Sequence, residues 1–238
     1  MLLLDCGPET PRQAVRAGVG LGGVEAIAVT HAHHDHLDPA FLLYRSWVAD
    51  SPLRVIGPEP VIAACRDWVA PQDSLVDFVE VRAGTTVEAG AHRVTALPAA
   101  HHAFGEVVLY LVEGSDARLL YATDTGPLPR ATLAALAGLP LDLVLLEETF
   151  GDADLMSESH LNLETFAAAL DDLRAVGAIT AATRLVAVHL SHHNPVDLDD
   201  RLAALGALAG VDGMGMVVGG LTDRGSDPLS SGAPHSEP

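Results

Sequence analysis

With 238 residues, 49% of them hydrophobic, and a mean hydropathy of +0.28, the chain has ample apolar material for one globular core. Its formal net charge of −19, from 32 acidic and 13 basic residues, repels a phosphate backbone. That argues against long nucleic acid as a partner, but not against a small phosphate ester held by bound metal.

Only Cys6 and Cys65 are present, so there is no disulfide framework and no paired-cysteine metal knuckle. The start, MLLLDCG, is too short and too soon acidic for a signal peptide, and no stretch reaches membrane-spanning length. The expectation is a cytoplasmic protein with no membrane partner. Leu2–Leu4 reads as a short buried strand delivering Asp5, and CGPET as the turn after it. Thr10-Pro11 reads as the cap and first turn of a helix over Arg12–Leu21. Val24–Val29 is a strand, Pro39–Val48 a helix with Asp38 as its cap, Leu53–Ile56 a strand and Pro60–Val69 a helix. Leu75–Val81, Thr85–Glu88 and His92–Leu97 have the look of an antiparallel meander, continued by Val107–Val112 and Leu119–Ala122. Beyond it come a helix over Leu128–Leu136, a strand at Asp142–Leu146, an amphipathic helix over Leu163–Val176 and a strand at Leu185–His189. Leu198–Leu208 is expected to be a helix and Met214–Val218 a last strand. The order predicts an α/β chain with two mixed sheets and helices on their outer faces. It would occupy residues 1–221, with a disordered Gly-, Ser-, Pro- and Asp-rich tail over 222–238.

The chain is organised around THAHHDHLD, Thr30–Asp38, directly after the Val24–Val29 run. His31, His33, Asp35 and His36 supply the nitrogen and oxygen ligands that borderline divalent ions take. If the backbone stays extended, His31, His33 and Asp35 share one side, and His36 can address a second ion once the chain turns. Four further strands end in metal-competent groups: His101 and His102 after VTALPAA, Asp124 in TDTG, Glu147 and Glu148 after LDLVLL, and His189 in HLSHHN. A sheet rim ending repeatedly in His and Asp is what a binuclear site requires, with an open position left for water.

The run THAHHDHLD resembles the HxHxDH motif of the metallo-beta-lactamase superfamily of metallohydrolases. DCGPET, EETF, HLNLE and HLSHHN resemble its phosphodiesterase branch, which includes ribonuclease Z and the phosphoribosyl cyclic-phosphate phosphodiesterase. The resemblance implies an αββα sandwich. It places His31, His33 and His101 on a first ion, Asp35, His36 and His189 on a second, and Asp124 between them. It also puts His160 against the scissile phosphate. His102 is the alternative to His101. The family's fold opens with two further strands ahead of the Leu2–Leu4 equivalent. They are absent here, which leaves that edge open to a homodimer contact. The basic, glycine-rich insertion with which ribonuclease Z grips tRNA is absent too.

Two ions ~3.5–4 Å apart can activate a shared water as hydroxide and clamp both oxygens of an in-line displacement. Zinc is the first expectation, with manganese or iron(II) also suited. Asp35 and His160 are the expected catalytic groups: Asp35 accepting a hydrogen bond from the hydroxide, His160 protonating the leaving alkoxide or neutralising charge. The competing reading of His160 is a cap on the helix that follows. Glu148 is expected to hold a histidine from behind, and His192 to touch substrate. The leading function is a phosphodiesterase for a small or cyclic phosphate ester. The alternatives are a hydrolase of thioesters, lactones or beta-lactams using the same ions, and a non-catalytic family member.

Overall fold

The computed structural model describes residues 1–70, 75–101, 105–156 and 158–219. Strands β1 (Leu2–Leu4), β2 (Ala26–Ala28), β3 (Leu53–Gly57) and β4 (Val76–Glu80) form a four-stranded sheet in that order, every pair parallel. Its crossovers contain helices α1 (Thr10–Arg16), α2 (Ala40–Ser46) and α3 (Glu59–Arg66). A seven-stranded sheet holds β5 (Thr86–Ala89), β6 (His92–Pro98), β7 (Val108–Glu113), β8 (Arg118–Ala122), β9 (Leu143–Glu147), β10 (Arg184–Val188) and β11 (Ala207–Ala209). From β5 to β8 the neighbours are antiparallel, and from β8 to β11 parallel. The expected pair of sheets with outer helices is present, with the mixing of strand directions confined to the larger sheet.

Alternation of side chains across the strands builds three apolar layers. Ile27, Val29, Leu53 and Val55 pack outward against Phe41 and Leu42 of α2 and Val61 and Ile62 of α3. Ala28, Ile56, Val94, Ala96, Val108 and Tyr110 fill the space between the sheets. On the far side, Leu120, Val144, Leu146 and Ala187 meet Leu136 of α4 (Arg130–Leu136) and Phe166, Leu170 and Leu173 of α5 (Leu163–Ala175). Leu202 of α6 (Leu198–Ala204) closes that layer. Tyr110 is fully buried, and its hydroxyl donates to the Val29 carbonyl at 2.8 Å, joining the sheets without an unpaired polar group.

Three local expectations are corrected. Val76–Glu80 does not join the meander but forms the far edge of the smaller sheet beside β3; the chain then crosses between sheets over Arg82–Thr85, where Gly84 takes a φ of +91°. The helix expected to reach Leu208 stops at Ala204. Gly206 at φ +79° turns the chain, and Ala207–Ala209 pairs with β10. That short segment is the last strand among the described residues, and Met214–Val218 is not one. β1 lies at an edge of the smaller sheet and pairs only with β2 among the described residues. No helix of the described residues is long and apolar enough to cross a membrane. The expected tail lies outside the described residues.

Candidate metal centre

Because β6, β8, β9 and β10 run in one direction, their C-terminal ends share a rim. The C-terminal ends of β1 and β2 face it from the smaller sheet. Asp5, the Thr30–His36 loop, His101, Asp124, Glu147 and His189 all stand at or just beyond these ends, the position where open α/β sheets place ligands. Asp5, Asp124 and His189 have φ values of +55°, +51° and +57°, a left-handed backbone that turns the chain sharply as it leaves a strand. Two glycines permit close approach. A Cβ on Gly7 would lie 1.9 Å from the Asp35 carbonyl oxygen, and one on Gly126 would lie 2.5 Å from that of Glu158.

The metal-competent atoms of the expected ligands fall into two sets, with the atoms of each within 4.8 Å of one another. In the first, His31 Nε2 lies 2.9 Å from His33 Nδ1 and 3.5 Å from Asp124 Oδ2, while His101 Nε2 lies 3.4 Å from His33 Nδ1 and 3.6 Å from Asp124 Oδ2. In the second, His36 Nε2 lies 3.3 Å from Asp35 Oδ2 and 3.1 Å from Asp124 Oδ1, and His189 Nε2 lies 3.5 Å and 3.1 Å from the same two oxygens. Asp124 thus turns one oxygen to each set. His36 Nε2 is buried and makes no well-aligned hydrogen bond. An orphaned nitrogen facing two carboxylates suits a cation, and so does a donor set of imidazoles and carboxylates.

The opposite ring nitrogens are held from behind. His36 Nδ1 lies 2.7 Å from Asp5 Oδ2, His31 Nδ1 3.0 Å from Thr30 Oγ1, His101 Nδ1 2.9 Å from the Ser159 carbonyl and His189 Nδ1 2.9 Å from Thr149 Oγ1. A carbonyl can only accept, so His101 Nδ1 carries the proton and leaves Nε2 its lone pair for the centre. Asp5 also accepts from the Thr30 amide at 2.7 Å and the Tyr121 hydroxyl at 3.0 Å. Burial, reinforced by the neighbouring His36, pulls His31 down to about 3. Burial opposes a charge on His36 too, but Asp124, Asp35 and Asp5 together push it up to about 12. Desolvation by itself would raise Asp124, yet His36 holds its carboxyl well below the usual range.

His160 is buried beside this rim. Its Nδ1 lies 3.1 Å from Glu147 Oε2, and its ring stacks on His189 at 5.6 Å and meets His101 edge-on at 4.7 Å. A ring nitrogen of His160 falls within 4.8 Å of ligand atoms of Asp124 and His189. Glu147 is fully buried and accepts from the Thr125 amide and, at 2.5 Å, from Thr149 Oγ1.

Residues 1–190 match the family described as beta-lactamase superfamily domain. The chain belongs to that family. Ribonuclease Z of Mycobacterium sp. (strain KMS) is 32% identical over 158 residues, covering 57% of this chain and 54% of that protein. The chain thus spans about half the length of the curated relatives it matches. Among solved structures, the metallo-beta-lactamase fold protein YhfI of Bacillus subtilis superposes with a TM-score of 0.72 at 20% identity, covering 90% of this chain and 85% of that one. A diphosphatase of the PhnP family superposes with a TM-score of 0.68 at 20% identity, covering 92% and 81%. These likenesses establish the metallo-beta-lactamase fold.

Fold and loop geometry bring His31, His33, Asp35, His36, His101, Asp124, His189 and His160 together, and they leave others out. His102 lies outside the described residues. Asp35 does not share a side with His31 and His33. The chain turns over His34–His36, with the Leu37 amide bonded to the His33 carbonyl at 2.9 Å, and Asp35 joins the second set instead. Helix α5 is capped by Asn162, whose side chain accepts from the Thr165 amide at 2.9 Å, so His160 is not its cap. Among the described residues, Glu148 holds no histidine. It accepts from the Gly151 amide at 2.8 Å and from Asn194 Nδ2, tying together the loops after β9 and β10. Glu147, one position earlier, faces the rim because successive strand side chains alternate. His192 is exposed, with its ring 4.0 Å from that of His193. Asp5 and Thr149 were not assigned from the sequence, and Glu147 was named only as a metal-competent strand end, although DCG and EETF marked their places.

Proposed function

We propose that this chain is a metal-dependent phosphodiesterase acting on a small or cyclic phosphate ester, with two divalent ions, zinc being the first candidate. His31, His33, His101 and Asp124 would hold one ion, and Asp35, His36, His189 and Asp124 the other. Such ions supply Lewis acidity toward a water and the scissile phosphate. Asp35, exposed to solvent, accepts a proton or a hydrogen bond from the attacking water. Glu147 accepts a hydrogen bond from His160 Nδ1–H and keeps that proton on the ring, which orients Nε2 to give a proton to the departing alkoxide.

The observation that carries this reading is the Glu147–His160 pair beside Asp124 and His189. An alkoxide leaving a phosphodiester needs a proton, whereas a thiolate does not. The name ribonuclease Z on the matched relatives supports phosphodiester chemistry. The net charge of −19 and the absence of lysine argue for a substrate smaller than RNA. Arginines such as Arg54, Arg93 and Arg201 are already paired with Asp77, Glu113 and Asp152. Cys6 and Cys65 are buried free thiols, both pushed up to about 12 by burial, in keeping with a cytoplasmic location.

The test is zinc-loaded protein assayed on bis(p-nitrophenyl) phosphate, a cyclic phosphodiester and a panel of thioesters and lactones. Higher kcat/KM on the phosphodiesters is expected. Faster turnover of the carbonyl substrates would overturn the assignment.

A further inference from the structure

Along β9 and β10, Val144, Leu146, Leu185 and Ala187 point into the helix-covered layer. Leu143, Leu145, Val186 and Val188 therefore stand on the opposite face, with Leu145 and Val186 side by side in register. They form the floor of a pocket of ≈ 600 Å³, within the range of small-molecule sites, and Met214 and Met216 form part of its wall. The floor is rigid sheet, whereas the methionine wall belongs to a largely exposed segment without regular structure. Unbranched thioethers adapt to occupants of different shape.

The pocket borders the metal centre at one ligand residue. His189 lines it, and Glu147 continues the Leu143–Leu145 row on the same strand face. From Leu143 to Glu147 the strand covers roughly 13 Å, the reach of about ten extended carbons. Apart from His189, the charged group at its wall is Asp212, which accepts from Gln13 Nε2 at 2.7 Å. A carboxylate there opposes an anionic occupant, and the apolar floor opposes a polar one.

We propose that this pocket is a substrate subsite for an unbranched alkyl chain attached to the ester that reacts at the metal centre. The subsite rests on the phosphodiesterase reading for the position of the ester but not for its own binding energy, so the two can be tested apart. Zinc-loaded full-length chain would be titrated calorimetrically with n-alkylphosphonic acids of increasing length, and assayed on p-nitrophenyl alkyl phosphodiesters of the same lengths. Affinity should rise by up to about fourfold per methylene and level off near about ten carbons. KM should fall in parallel, because the chain is held equally in ground and transition states. A flat series in calorimetry would overturn the subsite even if the phosphodiesters turn over. A steep binding series without turnover would uphold the subsite and overturn the phosphodiesterase reading. Met214 is exposed and Met216 partly so, which allows a second arm: Met214→Asp with Met216→Asp should flatten the series, and a slope unchanged in that double variant would overturn the placement.

Discussion

Asp5 Oδ2 lies 2.7 Å from His36 Nδ1, across 31 residues of chain, and this one contact joins the first strand of the protein to its histidine motif. It points the orphaned Nε2 of His36 toward Asp35 and Asp124. Asp5→Asn keeps a residue that tolerates the left-handed backbone at this position but removes the charge. Zinc affinity, measured by chelator competition, should fall by about 10–100-fold with the fold retained.

Asp124 serves both ligand sets, so its loss should be felt by both ions. Wild-type protein is expected to carry two divalent ions per chain by elemental analysis, matching the two ligand sets. Asp124→Ala should lose most of both, whereas a variant touching one set, such as His101→Ala, should keep one ion.

On the proposed function, His160 would act on the reaction and not on the ions. His160→Ala should leave metal content intact and lower kcat on alkyl phosphodiesters by ~10²–10⁴-fold. The loss should be small for p-nitrophenolate esters, which depart without a proton. Glu147→Gln should move the same leaving-group dependence in the same direction, and the double variant should cost less than the sum of the two because the residues act as one unit.

The metal-free centre stores protons that an ion must displace. Asp124, Asp35 and Asp5 push His36 up to about 12 against its burial, so that ring is charged near neutrality, and Asp35 raises His189 against its own burial. His31, drawn down to about 3, is neutral there and contributes no proton. Metal binding at pH 7 should therefore release protons, and affinity should weaken as pH is lowered. Calorimetric titrations in two buffers of different ionisation enthalpy would read the proton release directly; equal heats would contradict it.

Asn162 and Thr165 satisfy each other's backbone amides at the start of α5. Asn162→Ala should cost about 1 kcal/mol in urea unfolding. His160→Ala, two residues earlier, should not reproduce that loss, since its ring bonds Glu147 and not the helix end.

The ligand motif was legible because it is local. His31, His33, Asp35 and His36 sit within one turn after one strand, and His101, Asp124 and His189 each follow an apolar run long enough to read as a strand. Chain order and hydrophobic pattern also sufficed for two sheets with outer helices, since a buried strand and an amphipathic helix differ in period. The partners of those ligands were not legible. Whether Glu147 or Glu148 faces the rim depends on strand parity at β9, whose end no local signal marks. That Asp5 meets His36, and that Thr149 stands between Glu147 and His189, follows from pairing strands distant in sequence. The placement of β4 at the edge beside β3 likewise turned on its long-range parallel pairing, which an alternating pattern cannot distinguish from a meander. Residue types capable of holding metal were written in the sequence. The assignment of each ring nitrogen and carboxylate oxygen to one side of Asp124 was decided only when the two sheets brought their strand ends together.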